Sequence, residues 1–320
     1  MPQTKTVNNL SLMEIMNRIA PNGNQAAIVE IMTKENAILQ DIPFIEANGG
    51  YYHKDTKRTF VPKGQKRRFD EGVGKSSSKT EPVTFPIAMY ESYSEVDKAK
   101  CDGNPSPKQF RMDEANAHIE GMSQTFADAI FYGNHAFDPD ECDGLATICN
   151  KLGGTVIDAG GTGSKLTSVY IVQWDRASAR GIYPRGSKTA GVTHDDLGEV
   201  TLTDEEGKQY QGYRDHFQCH FGLGITDKRR VARIANIPTD GSMKDLNKLI
   251  IKALHRMKQS GTNAVIYGNA TAFEYLDIEA LNKATVGLTD AFGRPVVQFR
   301  LGNPIRLCEA ILDTEEQVKA

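Results

Sequence analysis

The chain has 320 residues, of which 39% are hydrophobic and 25% charged, with a formal net charge of -3. That balance describes a folded globular protein, neither disordered nor fibrous, and it supplies no global basic field to draw the chain onto nucleic acid or an acidic membrane. No stretch approaches the roughly 18–20 uninterrupted apolar residues that a membrane span needs, and no apolar run follows the polar first ten residues, so no secretory leader is expected.

The five cysteines (Cys101, Cys142, Cys149, Cys219 and Cys308) are scattered and odd in number. A chain of this size does not need disulfide staples, so they read as free thiols of a reducing compartment.

The first forty residues read as an arm with helical pieces. Asn24 can cap a helix carrying Ala27, Ile28, Ile31, Met32 and Leu39 at helical spacing, with Pro43 at its end. Residues 47–80 then change character. Lys54, Lys57, Arg58, Lys63, Lys66, Arg67, Arg68, Lys75 and Lys79 face only Asp55, Asp70 and Glu71, and glycines and a triple serine interrupt the run. Too few apolar residues are present to offset the entropy of ordering it alone. A two-stranded excursion, out along 51–61 and back along 81–94, suits the pattern. Such a ribbon is marginal in water unless it lies on something. The expectation is therefore that another copy of the chain holds it, the alternative being a loose surface loop.

The strongest helix follows. Ser106 is placed as N-cap, Pro107 as first helical residue and Gln109 as capping-box partner, with Phe110, Ala117, Met122, Phe126, Ala129 and Ile130 as inward positions. Gly133-Asn134 supplies the stop. Over residues 107–132 this helix would be roughly 40 Å long, a strut more than an ordinary globular helix. Beyond it the pattern is mixed. Residues 167–174 form a buried-strand candidate, and 213–221 alternate up to Gly222. Ser242 caps a helix over 243–260, and 264–267 make a short strand. Thr271 and Glu274 make a capping box, and strands at 295–301 and 305–312 join around Gly302-Asn303-Pro304. This order argues an α+β class without a βαβ repeat.

Candidate chemistry is thin. Gly160 to Lys165 lacks the phosphate-loop spacing, since Ser164 separates Gly163 from Lys165 and a strand follows, so it reads as a tight loop. His216 and His220 share one face of a strand while Cys219 points to the other, and no second ligand pair lies nearby. Asp138, Asp140, Glu141 and Asp143 form an acidic turn without calcium-loop spacing. No Gly-x-Ser-x-Gly nucleophile motif is present. No catalytic residue, cofactor or metal ligand is assigned on these grounds.

Several runs carry a resemblance: Asn36-Ala-Ile-Leu39 through Pro43-Phe44; Asp143-Gly-Leu-Ala146; Leu166 to Trp174; Gly181-Ile-Tyr-Pro-Arg-Gly186; Gly222-Leu-Gly-Ile-Thr-Asp227; Arg233-Ile-Ala-Asn-Ile237; and Pro304 to Ile311. Their order and coverage resemble the gp7-like major capsid proteins of short-tailed, podovirus-type phages. The resemblance implies the HK97-like major capsid fold. Its parts would be an N-terminal arm over 1–45, an extended E-loop over 46–95 and a peripheral domain with a spine helix over 96–134. An axial domain would cover 135–293, and closing strands of the peripheral domain 294–320. It implies a non-enzymatic virion subunit, assembled in the host bacterial cytoplasm into hexamers and pentamers around double-stranded DNA that is contacted without sequence specificity.

Scaffold, portal and decoration proteins are the further partners it implies. A chain that starts at Met1 is expected to carry no cleaved scaffolding segment, so the scaffold would be separate. Within the ribbon, Lys54, Lys57, Arg58, Lys63, Lys66, Arg67 and Arg68 are the candidate inter-subunit contacts. Asp138, Asp140, Glu141 and Asp143, or Asp204, Glu205 and Glu206, are their candidate acidic partners on the neighbour. The alternatives are an encapsulin-type compartment, which shares the fold, and a hydrolase using acidic residues of the axial segment.

Overall fold

The structure is a computed structural model that describes Met32 and residues 36–187, 189–281, 298–299 and 303–319. In chain order the helices are α1 (Ile38–Asp41), α2 (Lys98–Asp102), α3 (Pro107–Tyr132), α4 (Leu145–Ile148), α5 (Leu246–Arg256) and α6 (Ala270–Leu281). The strands are β1 (Phe44–Glu46), β2 (Tyr52–Phe60), β3 (Lys79–Pro86), β4 (Ala88–Asp97), β5 (Val156–Asp158), β6 (Leu166–Val172), β7 (Ala179–Tyr183), β8 (Val192–Thr203), β9 (Gln209–Ile225), β10 (Val231–Pro238), β11 (Val265–Gly268), β12 (Gln298–Phe299) and β13 (Asn303–Leu307).

Two body sheets and a ribbon result. In the first, β9 is the hub. Its residues 212–221 pair antiparallel with β4, 209–219 pair with β8 on the other side, and 222–225 continue onto β7, which carries β1 in parallel. The second runs β12-β13-β11-β6-β10-β5. Its middle strand β6, Leu166 to Val172, is buried at every position, as a continuous apolar, β-branched run covered on both faces should be. One face packs against α3 and β9 in a core that includes Phe126, Ile130, Phe131, Tyr170, Val172, Phe217 and Phe221. The other face packs against α5 and α6 through Ile171, Ile234, Ile250, Leu254 and Ile266. Each such side chain contributes about 1.5–3 kcal/mol by leaving water. The described residues after α3 contribute to both sheets, since β7, β8 and β9 join β4 while β5, β6, β10 and β11 form most of the second.

The long helix α3 forms where it was expected, but its burial is lopsided. Ile119 to Phe131 supply the buried face, while Ala117 is exposed, Phe110 only half-buried and Ala115 touches the core from its edge, so the first three turns are only partly covered. The capping box does not form. The Ser106 amide donates to Asn104 Oδ1 (3.0 Å), and Gln109 bonds Asp113 instead (2.8 Å). The end of α3 is a close backbone crossing. The Gly144 amide donates to the Gly133 carbonyl at 2.8 Å, and a Cβ on Gly133 would lie 2.3 Å from the Cys142 carbonyl oxygen.

Other helix starts also shift. The α5 helix begins at Leu246, where Glu279 of α6 accepts the Leu246 and Asn247 amides; Ser242 lies outside it and donates its own amide to Asp240. The α6 helix is capped by Asn269, whose Oδ1 accepts the Ala272 amide at 3.0 Å, while Thr271 reaches Asp313. Asn303 and Pro304, expected in a turn, lie in β13, which pairs antiparallel with β12 and parallel with β11. The β11, α6 and β13 segments make one crossover unit, a connection the element order had not suggested. The arm helix expected from Asn24 falls mostly outside the described residues; Met32 and Leu39 are both buried in the main core.

Candidate assembly interface

The polar segment becomes the third sheet, an antiparallel ribbon of β2 and β3 paired from Tyr52↔Pro86 to Phe60↔Lys79. Its return leg is shorter than expected. It ends at Pro86, with one further bond from the Ile87 amide to the Tyr51 carbonyl (3.1 Å) closing the ribbon, and residues 88–97 turn into the body sheet as β4. A Cβ on Gly222 would lie 2.4 Å from the Pro86 carbonyl, so glycine is required where the ribbon joins the body.

Among the described residues, only the root of the ribbon rests on its own protomer. Phe85 and Ile87 pack with Ala47 and Ile182. His53 is buried, and its Nε2 lies 3.2 Å from Arg180, which is also ion-paired with Asp55 and donates to the Arg176 carbonyl at 2.8 Å. Asn48 grips the Lys54 backbone through both of its side-chain atoms. Beyond the root, every residue from 58 to 82 is exposed except the half-buried Pro62. The tip is nonetheless shaped. Gly74 donates to Gln65 Oε1 (3.1 Å), Arg67 Nε to the Glu71 carbonyl (2.9 Å), and Asp70 takes a left-handed φ of 63°. This turn holds Phe69 at 100% exposure.

The seven cations assigned to the ribbon are all there. Lys54, Lys57 and Arg58 lie on β2, with Lys54 5.1 Å over the Tyr52 ring, and Lys63, Lys66, Arg67 and Arg68 lead into the tip. Among the described residues none of the seven forms an ion pair within the chain. The acidic candidates divide. Glu141 and Asp143 accept the Asn134 and His135 amides and so close the turn after α3. Asp204 accepts the Glu206 and Lys208 amides at the β8–β9 turn, and Glu206 pairs with Lys208. Asp138, Asp140 and Glu205 stay exposed, although Asp138 accepts the Asp140 amide at 3.0 Å. Phe69 was not singled out from the sequence; its one signal is an aromatic ring set directly after two arginines.

Burial drives His53 to a pKa below its ordinary value, and the Arg180 guanidinium adds to this while Asp55 opposes it. A depressed histidine gives stability that is complete above the unfolded value of about 6.5 and is lost as pH falls toward the folded one. Protection of the ribbon-root amides, corrected for the slower intrinsic exchange at low pH, should therefore fall between about pH 7.5 and 5.5. His53→Gln should remove part of that response, and an equal response in the variant would refute the assignment.

A second buried polar centre fastens the C-terminal segment. Arg233 and Glu315 are both 5% exposed and meet at 3.0 Å. Arg233 also donates to Ser168 Oγ (3.0 Å) and to the Cys149 carbonyl (3.2 Å). Tyr132, at the end of α3, donates to Glu315 Oε1 at 2.6 Å and accepts the Leu312 amide at 2.9 Å. Asn236 then clasps Val318 through its amide and carbonyl. The arm is tied in from the opposite end by Trp174 to Tyr267 (2.7 Å) and Tyr267 to Asp41 (2.9 Å).

The remaining candidates take structural places. His216 and His220 face Glu91, at 3.0 and 3.8 Å, while Cys219 points into the core. No cluster of metal-ligating side chains occurs among the described residues. All five cysteines are free and buried. Burial pushes the thiols of Cys142, Cys219 and Cys308 up to about 12 and that of Cys149 up to about 11, so these four stay protonated and unreactive at neutral pH.

An α+β body of two sheets around one long helix, with a two-stranded ribbon projecting from it, defines an HK97-like capsid protein. The chain belongs to the family described as major capsid protein GP7, whose sequence model matches residues 20–319. A chain in the near-atomic structure of bacteriophage Epsilon15 is 30% identical, covering 87% of this chain and 88% of that one at a TM-score of 0.65. The capsid of bacteriophage JBD30 matches at 8% identity over 83% of this chain and 88% of that one, with a TM-score of 0.50, a likeness of fold alone. The SrpI encapsulin of Synechococcus elongatus matches at 8% identity over 65% of this chain and 90% of that one; its TM-score of 0.44 carries no weight for a protein compartment. No curated protein matches the chain. The chain is a structural subunit of a tailed-phage shell.

Proposed function

We propose that copies of this chain assemble as hexamers and pentamers into a closed icosahedral head, with the β2–β3 ribbon of each laid over the next copy around the ring. The observation that carries this is the exposure of residues 58–82 around a shaped tip. So long an exposed ribbon gains its stability from a surface outside its own protomer. Contacts of this kind are heterologous, and rotation closes them into rings. The cations from Lys54 to Arg68 meet the exposed carboxylates Asp138 and Asp140, or Glu205, on the neighbour, where complementary charge sets register more than affinity. In this reading the arm is 1–45, the E-loop 46–95, the peripheral domain 96–134 and 294–320, and the axial domain 135–293. The shell forms in the bacterial cytoplasm, with scaffold, portal and decoration proteins as partners, and encloses double-stranded DNA held without sequence preference. The subunit has no catalytic task.

The test is gel filtration of the expressed chain followed by negative-stain microscopy. Capsomer-sized oligomers or closed particles containing nucleic acid are expected. A monodisperse species of 35.3 kDa under every condition would overturn the proposal, and particles filled with protein cargo would move the chain to the compartment class.

A further inference from the structure

One cleft of the body gathers four cations, of which only Arg229 is ion-paired among the described residues. It has a volume of about 510 Å³ and lies where the turns before β5, the link from β9 to β10 and the end of α5 meet. Lys151, Lys228, Arg229 and Arg256 line it, and no carboxylate does. Asp227 stands behind Arg229, accepting from it at 2.9 and 2.8 Å. Lys151, Lys228 and Arg256 form no ion pair among the described residues. Two of these cations are instead held by the cleft's own backbone: Lys228 Nζ donates to the Ile148 carbonyl (3.5 Å) and Arg256 to the Gly154 carbonyl (3.2 Å). Long side chains tethered in this way lose less freedom when a ligand arrives.

The chain as a whole is acidic, at -3, so this is a local concentration and not a sample of a basic surface. A cleft lined by one sign of charge focuses its field and gathers counter-ions. Like charges held around one space repel until an anion enters.

We propose that this cleft binds the phosphates of a nucleic-acid backbone, a contact that rests on the reading of the chain as the wall of a DNA-filled shell. Three cations without an ion-pair partner among the described residues, Lys151, Lys228 and Arg256, exceed what a single carboxylate would neutralise. A duplex presents one negative charge for about every 1.7 Å of its axis, so one stretch of backbone can meet several of them. The lining holds no aromatic ring on which a base could stack, so the contact is to phosphate and blind to sequence.

The test uses the full-length chain before assembly and a short fluorescent DNA duplex, titrated by anisotropy at several salt concentrations. The Lys151→Gln/Lys228→Gln/Arg256→Gln variant should bind at least about tenfold more weakly at low salt, with the slope of log affinity against log salt reduced by about 2–3. An Arg67→Ala/Arg68→Ala chain, altered only in the ribbon, should keep the wild-type slope. Equal binding by the wild type and the triple variant would overturn the proposal. So would a triple variant that binds DNA normally yet forms no particles, because a neighbour's carboxylates would then fill the cleft. Circular dichroism of the triple variant keeps a folding defect from being read as either result. Failure of the wild-type chain to form particles would count against the shell reading alone and leave the DNA comparison intact.

Discussion

Glu315→Ala should lower the stability of the protomer by about 3–5 kcal/mol, the usual loss when one member of a buried ion pair is removed. The arithmetic follows from who is left behind. Arg233 cannot shed its proton, and at 5% exposure it would keep a charge that water cannot reach. Ser168 and Tyr132 would lose their acceptor at the same stroke. Each buried donor left unmade costs a further 1–3 kcal/mol or so where water cannot enter. The damage would also spread along the chain, because Glu315 pins its segment between the end of α3, β6 and β10. The Glu315 amide to the Leu166 carbonyl (2.9 Å), the Asn236 clasp on Val318 and the Leu152 amide to the Lys319 carbonyl (3.2 Å) all depend on that seating. Urea unfolding is the measurement, with hydrogen exchange showing residues 312–319 opening first. The double change Arg233→Met/Glu315→Leu should recover much of the loss, since two apolar side chains leave no unpaired charge. By contrast Lys98→Ala, which removes an exposed partner of Glu199, should leave the unfolding midpoint almost unchanged. A Glu315→Ala chain within 1 kcal/mol of wild type would mean the pair is not held dry.

How legible these features were in the sequence depends on whether their causes are local. The strand at 166–172 shows itself because a run such as Val169-Tyr-Ile-Val172 belongs in a covered sheet, and the helix at 107–132 because proline, spacing and a Gly-Asn stop agree. Strand β8 does not show itself. Val192 to Thr203 is mostly polar and largely exposed along its length, and it is a strand because β9 offers it a row of backbone partners. The caps fail for the same reason. Asn104 takes the amide that would complete the box at Ser106, and Glu279, more than thirty residues away, caps α5. The clasp was invisible too. Glu315 sits in the run Thr-Glu-Glu-Gln, which looks like a solvated tail, and its partner Arg233 lies 82 positions earlier. The ribbon was legible because its signal is a deficit, too few apolar residues to stand alone, and a deficit needs no knowledge of distant partners. The places of the acidic residues were not legible, since composition cannot tell Asp140, whose side chain stays exposed, from Glu141, which accepts a backbone amide.

Neutralising Arg67 and Arg68 together should leave the protomer as it is and cripple assembly. Both side chains are exposed, and the one bond at stake among the described residues runs from Arg67 Nε to the Glu71 carbonyl. Helix content and unfolding midpoint should therefore stay within about 0.5 kcal/mol of wild type. Assembly is different, because every copy in a ring repeats the contact. Steering by complementary charge raises association rates by one or more orders of magnitude at low salt. The Arg67→Ala/Arg68→Ala chain should thus assemble at least about tenfold more slowly, followed by light scattering, and should lose most of the wild type's sensitivity to salt. Phe69→Ala separates the apolar part of the contact from the charged part. A ring fully exposed in the protomer gains about 1.5–3 kcal/mol only if a neighbour covers it. That variant should keep the salt dependence while particles come apart more readily in urea. Should both variants assemble at the wild-type rate into equally durable particles, the ribbon would not be touching its neighbour through this tip, and the exposed run from 58 to 82 would need a different surface to rest on.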